Sequence, residues 1–437
     1  MSKSTNMKVA KNFDVARELH KSGELTRAVV AYKKVLRTHA TQPDALHYLG
    51  LAYYQMGQVD LAINHIKRAI VLTSNYPDAM SNLANIYKET GRLEEAQTLY
   101  TQLLLIAPDH TNTLVNIALI LRETDQTKSA LTYIQRALEI EPKHAIAHHN
   151  LGNIYSDFQQ FELAQKAYSR ALQLNPKSYN SAKSLAHVLN ILGKTDEAFV
   201  ILKALITQHP DDVTTQHLLA AYDTENTPTR ASDMYVKQTF DAFSASFNTS
   251  LSKLQYKIPE LISDKLLAIV NEADSTADIL DIGCGTGLCG SLLIPLANNL
   301  IGVDLSPKML QKAEQLKVYN ELHERELCTY MQTCDTHFDY IVCADTFVYF
   351  GELETAFAAA FNALRPNGYF IFSVEQHHNS SNRDYHLQLN GRYSHSPAYL
   401  SMALTAVGFM VCSIEDVIPR MENGKAVNGA LVLARKP

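Results

Sequence analysis

Two groups of residues in this chain are equipped for chemistry. The first is the run Asp281-Ile282-Gly283-Cys284-Gly285-Thr286-Gly287. Glycines spaced G-x-G-x-G let a backbone turn tightly and come close to a ligand. Asp304 ends the next apolar run in IGVDLS, with Leu305 after it. A carboxylate at that place can accept from both hydroxyls of a ribose. A dinucleotide fingerprint, G-x-G-x-x-G, would need glycine where Leu288 stands, which argues against nicotinamide and flavin dinucleotides. The second group is Tyr349, Glu375, Arg392, Tyr393 and His395. Here His395, beside Tyr393, is the candidate general base, and Arg392 could pair with an acidic acceptor. The competing readings are a loop histidine held by a structural hydrogen bond and a surface ion pair. His377, His378 and His386 show no ligand spacing, so no metal is expected.

These residues need a frame. From Ala277 onward, β-rich runs (Asp278–Ile282, Leu300–Val303, Tyr340–Ala344, Tyr369–Val374) alternate with helical segments. Such alternation predicts a parallel, doubly wound α/β sheet with its ligand at the strand C-termini. Before the first run, Tyr235, Phe240, Phe243 and Phe247 recur at helical spacing. They are either a core-facing stripe or rings over the ligand.

The first half is built differently. Small residues recur at Ala16, Gly50, Ala84, Ala118, Gly152, Ala186 and Ala220. A second series runs from Ala28 to Ala198 and a bulky one from Tyr32 to Leu202, all with a 34-residue step. Two antiparallel helices cross closely only where side chains are small, and the bulky series fills the space beside the contact. Gly23, Gly57, Gly91 and Gly193 fall where the first helix must turn, and Pro108, Pro142, Pro176 and Pro210 stop the second. The pattern predicts six helix pairs plus a capping helix over residues 10–225, a polar linker at 226–232, and the α/β domain over 233–437. Asn82, Asn116 and Asn150 share the step, and their amides suit an extended peptide backbone; packing between helices is the alternative.

The first half resembles the tetratricopeptide repeat, whose first helices line a concave groove. The repeats look most like those of O-linked N-acetylglucosamine transferase, where an asparagine ladder grips substrate chains. Residues 233–437 resemble class I S-adenosylmethionine-dependent methyltransferases. That resemblance implies a Rossmann-like seven-stranded sheet, with Met410–Glu415 and Ala430–Ala434 as the antiparallel strands. It places Asp281 by the methionine end of S-adenosylmethionine and Gly283, Gly285 and Gly287 beneath it. Asp304 and Leu305 fall at the ribose, Glu326 and Leu327 beside the adenine, and Asp345 at the mouth. Phe240-Asp241 and Phe247 resemble the family's FD-x-x-A-x-x-Y/F helix. Leu364-Arg365-Pro366-Asn367-Gly368 matches its turn before the fifth strand. The whole arrangement resembles a bacterial group of predicted methyltransferases with tetratricopeptide repeats.

Composition narrows the rest. At 46% hydrophobic and 19% charged residues the chain reads as globular, and no apolar run reaches membrane-spanning length. The start, MSKSTNMKVAKNF, lacks an apolar signal core, and none of the six cysteines forms a C-x-x-C pair, so a reducing cytoplasm is expected. Net charge is −6, and the acidic surplus lies after Glu225. Neither half carries the basic face that nucleic acid requires. The sequence therefore points to methyl transfer from S-adenosylmethionine to a protein or peptide held by the repeats. A small-molecule methyltransferase whose repeats serve assembly is the alternative, and a scaffold that has lost activity a third.

Overall fold

The 34-residue step becomes a stack of helix pairs in a computed structural model, which describes residues 3–73, 75–223, 225–270, 277–335, 337–377 and 383–437. Backbone packing divides the chain into two compact units, residues 1–193 and 194–437. The first unit pairs α1 (Lys3–Lys21) with α2 (Leu25–Thr38), α3 (Pro43–Gln55) with α4 (Val59–Leu72), and α5 (Pro77–Glu89) with α6 (Leu93–Ile106). It continues with α7 (Thr111–Glu123) and α8 (Thr127–Ile140), then α9 (Ala145–Asp157) and α10 (Phe161–Leu174), and ends on α11 (Tyr179–Ile191).

The small series makes the helix crossings. Ala28, Ala62, Ala96, Ala130 and Ala164 are wholly buried, as are Tyr32, Ile66, Tyr100 and Ile134 of the bulky series. The two series meet directly. A Cβ on Gly50 would lie 2.5 Å from Ile66, and one on Gly152 would lie 2.5 Å from the ring of Tyr168. Each pair turns through one left-handed residue, at Gly23, Gly57, Gly91 and Gly193. The fourth and fifth pairs use the same turn without glycine, at Asp125 (φ 61°) and Gln159 (φ 59°).

The second unit opens on two further helices, α12 (Thr195–Gln208) and α13 (Val213–Ala220). The division therefore falls inside the sixth expected repeat, ahead of the linker expected at 226–232. That polar stretch is stitched into the α/β fold by its backbone. The Thr229 carbonyl accepts from Gly351 N (2.7 Å) and Glu352 N (2.9 Å), and Ala231 N donates to Tyr349 O (2.8 Å). The ring of His217 on α13 lies 4.1 Å from that of Tyr235. Polar composition marked a break, but the main-chain groups of the segment are spent on strand-like pairing.

After it come α14 (Asp233–Phe243), α15 (Phe247–Lys253) and α16 (Ile258–Leu267), then the sheet. Its strands are β1 (Ala277–Ile282), β2 (Ala297–Asp304), β3 (Glu321–Glu324), β4 (Phe338–Cys343), β5 (Leu364–Gln376), β6 (Tyr385–Leu387) and β7 (Tyr393–His395). β8 (Met410–Val417), β9 (Met421–Glu422), β10 (Lys425–Ala426) and β11 (Gly429–Arg435) complete the set. The main order is β3-β2-β1-β4-β5-β11-β8, parallel through β5, with β11 antiparallel to both its neighbours. β6 and β7 join this sheet beside β5 to make nine strands, and β9 and β10 form a separate hairpin. This is the expected two-part architecture, a repeat solenoid followed by a Rossmann-like sheet whose main path has seven strands. The helices between strands are α17 (Leu288–Leu293), α18 (Pro307–Leu316), α19 (Leu327–Thr333), α20 (Glu354–Ala363) and α21 (Pro397–Val407). Phe347, Phe357, Phe370 and Phe372 form the wholly buried centre of one face.

The turn residues give a direct test. A side chain at positive φ costs about 1 kcal/mol that glycine avoids, partly offset by glycine's greater freedom when unfolded. Gln159→Gly is expected to raise the stability of the repeat unit by up to about 1 kcal/mol in urea melts, and Gly91→Ala to lower it by about 1 kcal/mol. A destabilised Gln159→Gly would count against strain at that turn.

Candidate functional site

The chain must reverse between β1 and α17, and the loop Gly283–Gly287 does so on three left-handed glycines. The glycines have different reasons to be there. A Cβ on Gly283 would lie 1.9 Å from Thr346 Oγ1. On Gly285 it would meet only the ring of Phe247, in ordinary contact at 3.9 Å. On Gly287 it would strike Leu316 and Tyr319, which makes Gly287 a packing residue. At the end of β2, Asp304 Oδ2 accepts from Gly285 N (2.9 Å) and Oδ1 from Ser306 N (2.8 Å). The Leu305 N–H is a third donor to the carboxylate, which keeps lone-pair capacity for a further one. Burial pushes the Asp304 carboxyl up, and these N–H bonds oppose the shift.

A cleft of about 310 Å³ opens over this loop, at the strand C-termini. Among the residues expected from the sequence, Gly283, Gly285, Asp304, Leu305, Glu326, Leu327, Asp345, Tyr349 and Arg392 line it. Asp281 and Gly287 do not. Asp281 is buried, with Tyr319 donating to Oδ2 at 2.7 Å and Oδ1 without a partner, and burial pushes its carboxyl up to about 7. Glu326 lines the wall, but its oxygens are already engaged. They cap α19 by accepting from Cys328 N (3.1 Å) and Thr329 N (2.7 Å), and Arg230 pairs with them at 3.2 Å.

The aromatic helix divides its rings between both expected roles. Phe240, Phe243 and Phe247 line the cleft, while Tyr235 is buried against His217. Asp241 fixes the helix in place, accepting from Ser306 Oγ at 2.6 Å. The cleft is thus walled by the backbone at Gly283 and Gly285, the Asp304 carboxylate and the rings of Phe240, Phe243 and Phe247.

The other end of the cleft is charged. Asp345, directly after β4, takes φ 48°, a strained value for a residue with a Cβ. Arg420 holds it, donating from Nη1 to Asp345 Oδ2 at 2.7 Å. The same guanidinium donates from Nε to Glu422 at 2.7 Å and from Nη2 to Glu375. Arg392 shares both of those carboxylates through Nη1, with Glu375 at 3.4 Å. Burial pushes the Glu422 carboxyl up, but Arg392 and Arg420 outweigh it and hold it at about 2. Burial also raises Glu375, against the pull of the two arginines.

Several expected residues sit elsewhere. His395 and Tyr393 do not line the cleft, so neither is placed to act as its base. Both are wholly buried in β7, which pairs with β5. His395 Nε2 bonds to Gly351 O at 3.1 Å, and Tyr393 donates to Pro228 O at 2.8 Å. In the repeat unit the asparagines are engaged within the array. Asn82 Nδ2 bonds to His47 Nε2 (2.9 Å), and Asn116 donates to Asn85 (3.1 Å) while accepting from Lys88 (2.9 Å). Asn150 is buried, at 5% exposure, and accepts weakly from Asn153 at 3.4 Å. The three are not equal rungs. Among the described residues, no group of three or more His, Cys, Asp or Glu could hold a metal; His378 lies outside the described residues.

Arg420, Tyr256 and Arg230 also line the cleft and were not anticipated. Arg420 meets carboxylates 75 and 45 positions away in sequence, a separation that no motif spacing reveals. The signal available was weak: an arginine inside the otherwise apolar VIPRM.

Family models match both halves. A model described as methyltransferase domain matches residues 280–372. Models described as tetratricopeptide repeat match residues 75–142, 110–177 and 149–213, and one described as TPR repeat matches 16–57 and 50–91. An uncharacterised methyltransferase of Schizosaccharomyces pombe is 26% identical over 148 residues, covering 28% of this chain and 50% of that protein. Malonyl-acyl-carrier protein O-methyltransferase of Acetivibrio thermocellus is 27% identical over 127 residues, covering 28% and 44%. The chain thus spans half or less of the length of these relatives. The solved structure of Pseudomonas aeruginosa PilF gives a TM-score of 0.45 at 16% identity, covering 50% of this chain and 99% of that one. Among the described residues no helix is long and apolar enough to cross a membrane.

His395 yields a pH test. Burial holds its pKa down at about 4, below the 6.5 of an exposed histidine. A histidine kept neutral when folded stabilises fully above its unfolded pKa, and that contribution is lost as pH falls from 6.5 toward 4. The melting temperature of the second unit should therefore fall between pH 7 and pH 5, and His395→Gln should flatten the fall. Equal slopes for both proteins would assign the acid sensitivity to other groups.

Proposed function

For a chain that joins tetratricopeptide repeats to a class I methyltransferase domain, we propose methyl transfer from S-adenosylmethionine to a protein or peptide acceptor recruited by the repeats. The observation that carries the reading is the cleft at the strand C-termini that Gly283, Gly285, the Asp304 carboxylate and Phe247 line together. When bound, S-adenosylmethionine supplies a methyl group already activated by its sulfonium. The protein's part is then alignment and exclusion of water. Asp304 accepts from a ribose hydroxyl with the lone-pair capacity left by Gly285, Leu305 and Ser306. Gly283 and Gly285 let the backbone reach the ligand, and Phe240, Phe243 and Phe247 cover it. Leu305 and Leu327 supply apolar contact for the base. Asp281 serves as a buried support of the loop, bonded to Tyr319. Tyr349, Asp345 and Arg392 form the acceptor side.

The repeats support a protein acceptor, since arrays of this kind present long faces to partners. On that face, Asn82 and Asn116 are half-buried and belong to the first helices of their pairs. A cytoplasmic setting accords with the cysteine usage.

Calorimetry tests the cofactor. S-adenosylmethionine should bind the wild type, and Asp304→Ala should raise Kd on the order of 100-fold, as a charge-assisted hydrogen bond is lost. Unchanged affinity would remove Asp304 from the ribose, and binding of a nicotinamide dinucleotide in its place would sink the class. For the acceptor, labelled methyl should enter the protein fraction of a cell extract. Label confined to the small-molecule fraction would favour repeats that serve assembly alone.

A further inference from the structure

Resting on that reading, we infer that the acceptor atom is a carboxylate oxygen, that the product is a methyl ester, and that Arg392 is the residue that receives the acceptor.

Two observations meet here. The first concerns proton transfer. Among the described residues lining the cleft there is no histidine, lysine or cysteine. The tyrosines on the acceptor side, Tyr256 and Tyr349, have hydroxyls pushed up by burial, so they hold their protons and donate. The Asp345 carboxylate is paired with Arg420 at 2.7 Å through Oδ2 and accepts from Ser373 Oγ at 2.8 Å through Oδ1, so its charge is already matched. An amine or hydroxyl acceptor arrives with a proton that must leave, and the acceptor side offers it only this arginine-paired carboxylate. A carboxylate arrives at neutral pH with its lone pairs exposed and needs no base.

The second observation concerns charge. Four arginines line the cleft, and two of them, Arg392 and Arg420, share the carboxylates Glu375 and Glu422, which are not in the lining. The two cations differ. Arg420 is 3% exposed and spends Nε, Nη1 and Nη2 on carboxylates. Arg392 is 28% exposed, meets its carboxylates through Nη1 alone, and also bonds to the Tyr349 hydroxyl on the cleft wall. Five N–H groups in a planar fork leave it donors beyond these for a carboxylate. Glu375 and Glu422 hold the group in one orientation, so little freedom is lost when an acceptor binds.

The chemistry balances without a proton. A lone pair of the acceptor oxygen forms the bond to the methyl carbon. The bond from that carbon to sulfur breaks, and sulfur keeps the pair. The carboxylate loses its negative charge, the sulfonium its positive one, and Arg392 releases a neutral ester that it holds less well. That weaker grip favours product release.

The test uses the full-length protein and S-adenosylmethionine labelled in the methyl group. The probes are a tryptic digest of whole-cell protein, the same digest with amines acetylated, the same digest with carboxyls amidated, and a deproteinised small-molecule extract. Label should enter the untreated and acetylated digests, be lost from the amidated one, and leave as volatile methanol in mild alkali. Alkali-labile label in the small-molecule extract alone would keep the carboxylate and sink the peptide reading. Alkali-stable label, or label abolished by acetylation, would overturn the carboxylate. No label in any probe, with cofactor bound, would overturn both. Arg392→Lys keeps the charge but loses the fork, and should raise the acceptor KM on the order of 100-fold with cofactor Kd unchanged. An unaltered KM in that variant would remove Arg392 from the acceptor site.

Discussion

One buried guanidinium holds the charged end of the cleft together. Arg420 reaches Asp345 after β4, Glu375 at the end of β5 and Glu422 in β9, three segments far apart in sequence. Burying that much charge is costly, and the cost is offset only while every partner is present. Asp345 illustrates the dependence. Its positive φ is unfavourable alone, yet it aims a carboxylate at Arg420 and places Thr346 against Gly283. The glycine loop, the strained turn after β4 and the arginine are thus one construction. Losing the arginine would leave Asp345 without its counter-charge and Glu375 and Glu422 sharing Arg392 alone, far costlier than losing a surface ion pair.

The repeat unit depends on the opposite kind of interaction. Nothing charged is needed where its helices cross. Small residues face bulky ones, and the geometry repeats because the volumes do. Close packing explains why such a pattern is readable in a sequence. Three positions must hold register together, and a change at one leaves a gap or a clash at another. Gly50 against Ile66 and Gly152 against Tyr168 show how little room there is.

What the sequence revealed and what it hid divide along the same line. Periodic volume, β-rich runs and the glycine loop with Asp304 are local or evenly spaced; the structure forms the helix pairs and strands so read and brings Gly283, Gly285 and Asp304 to one cleft, while Asp281 and Gly287 lie outside its lining. Long-range electrostatics have no spacing. Arg420 was invisible because its partners come from three separate segments. His395 and Tyr393 were read as loop residues because YSH is too short for a strand signal, and only pairing with β5 buries them. The stretch at 226–232 misled for a related reason. Its side chains are those of a linker, but its fate was decided by Thr229 O and Ala231 N, and main-chain groups are the same in every sequence. The asparagine step was periodic and correctly seen. Periodicity reports that a position recurs in the fold, and cannot distinguish a face that binds from one that packs.

The position of Arg392 follows from a contact that no motif describes. Its neighbour Gly391 sits at φ 85°, and a Cβ there would lie 2.8 Å from the Tyr235 hydroxyl. The Gly391 carbonyl accepts from His217 Nε2 at 2.9 Å, and burial keeps that histidine's pKa low. A neutral imidazole has one N–H, and here it is spent on the backbone beside the arginine. The guanidinium is therefore held from two sides, by Glu375 and Glu422 at its head and by α13 at its root. α13 continues the helical run of the repeats in sequence, yet it packs as part of the α/β unit. α13 lies outside the cleft lining and acts on it only through the Gly391 backbone beside Arg392.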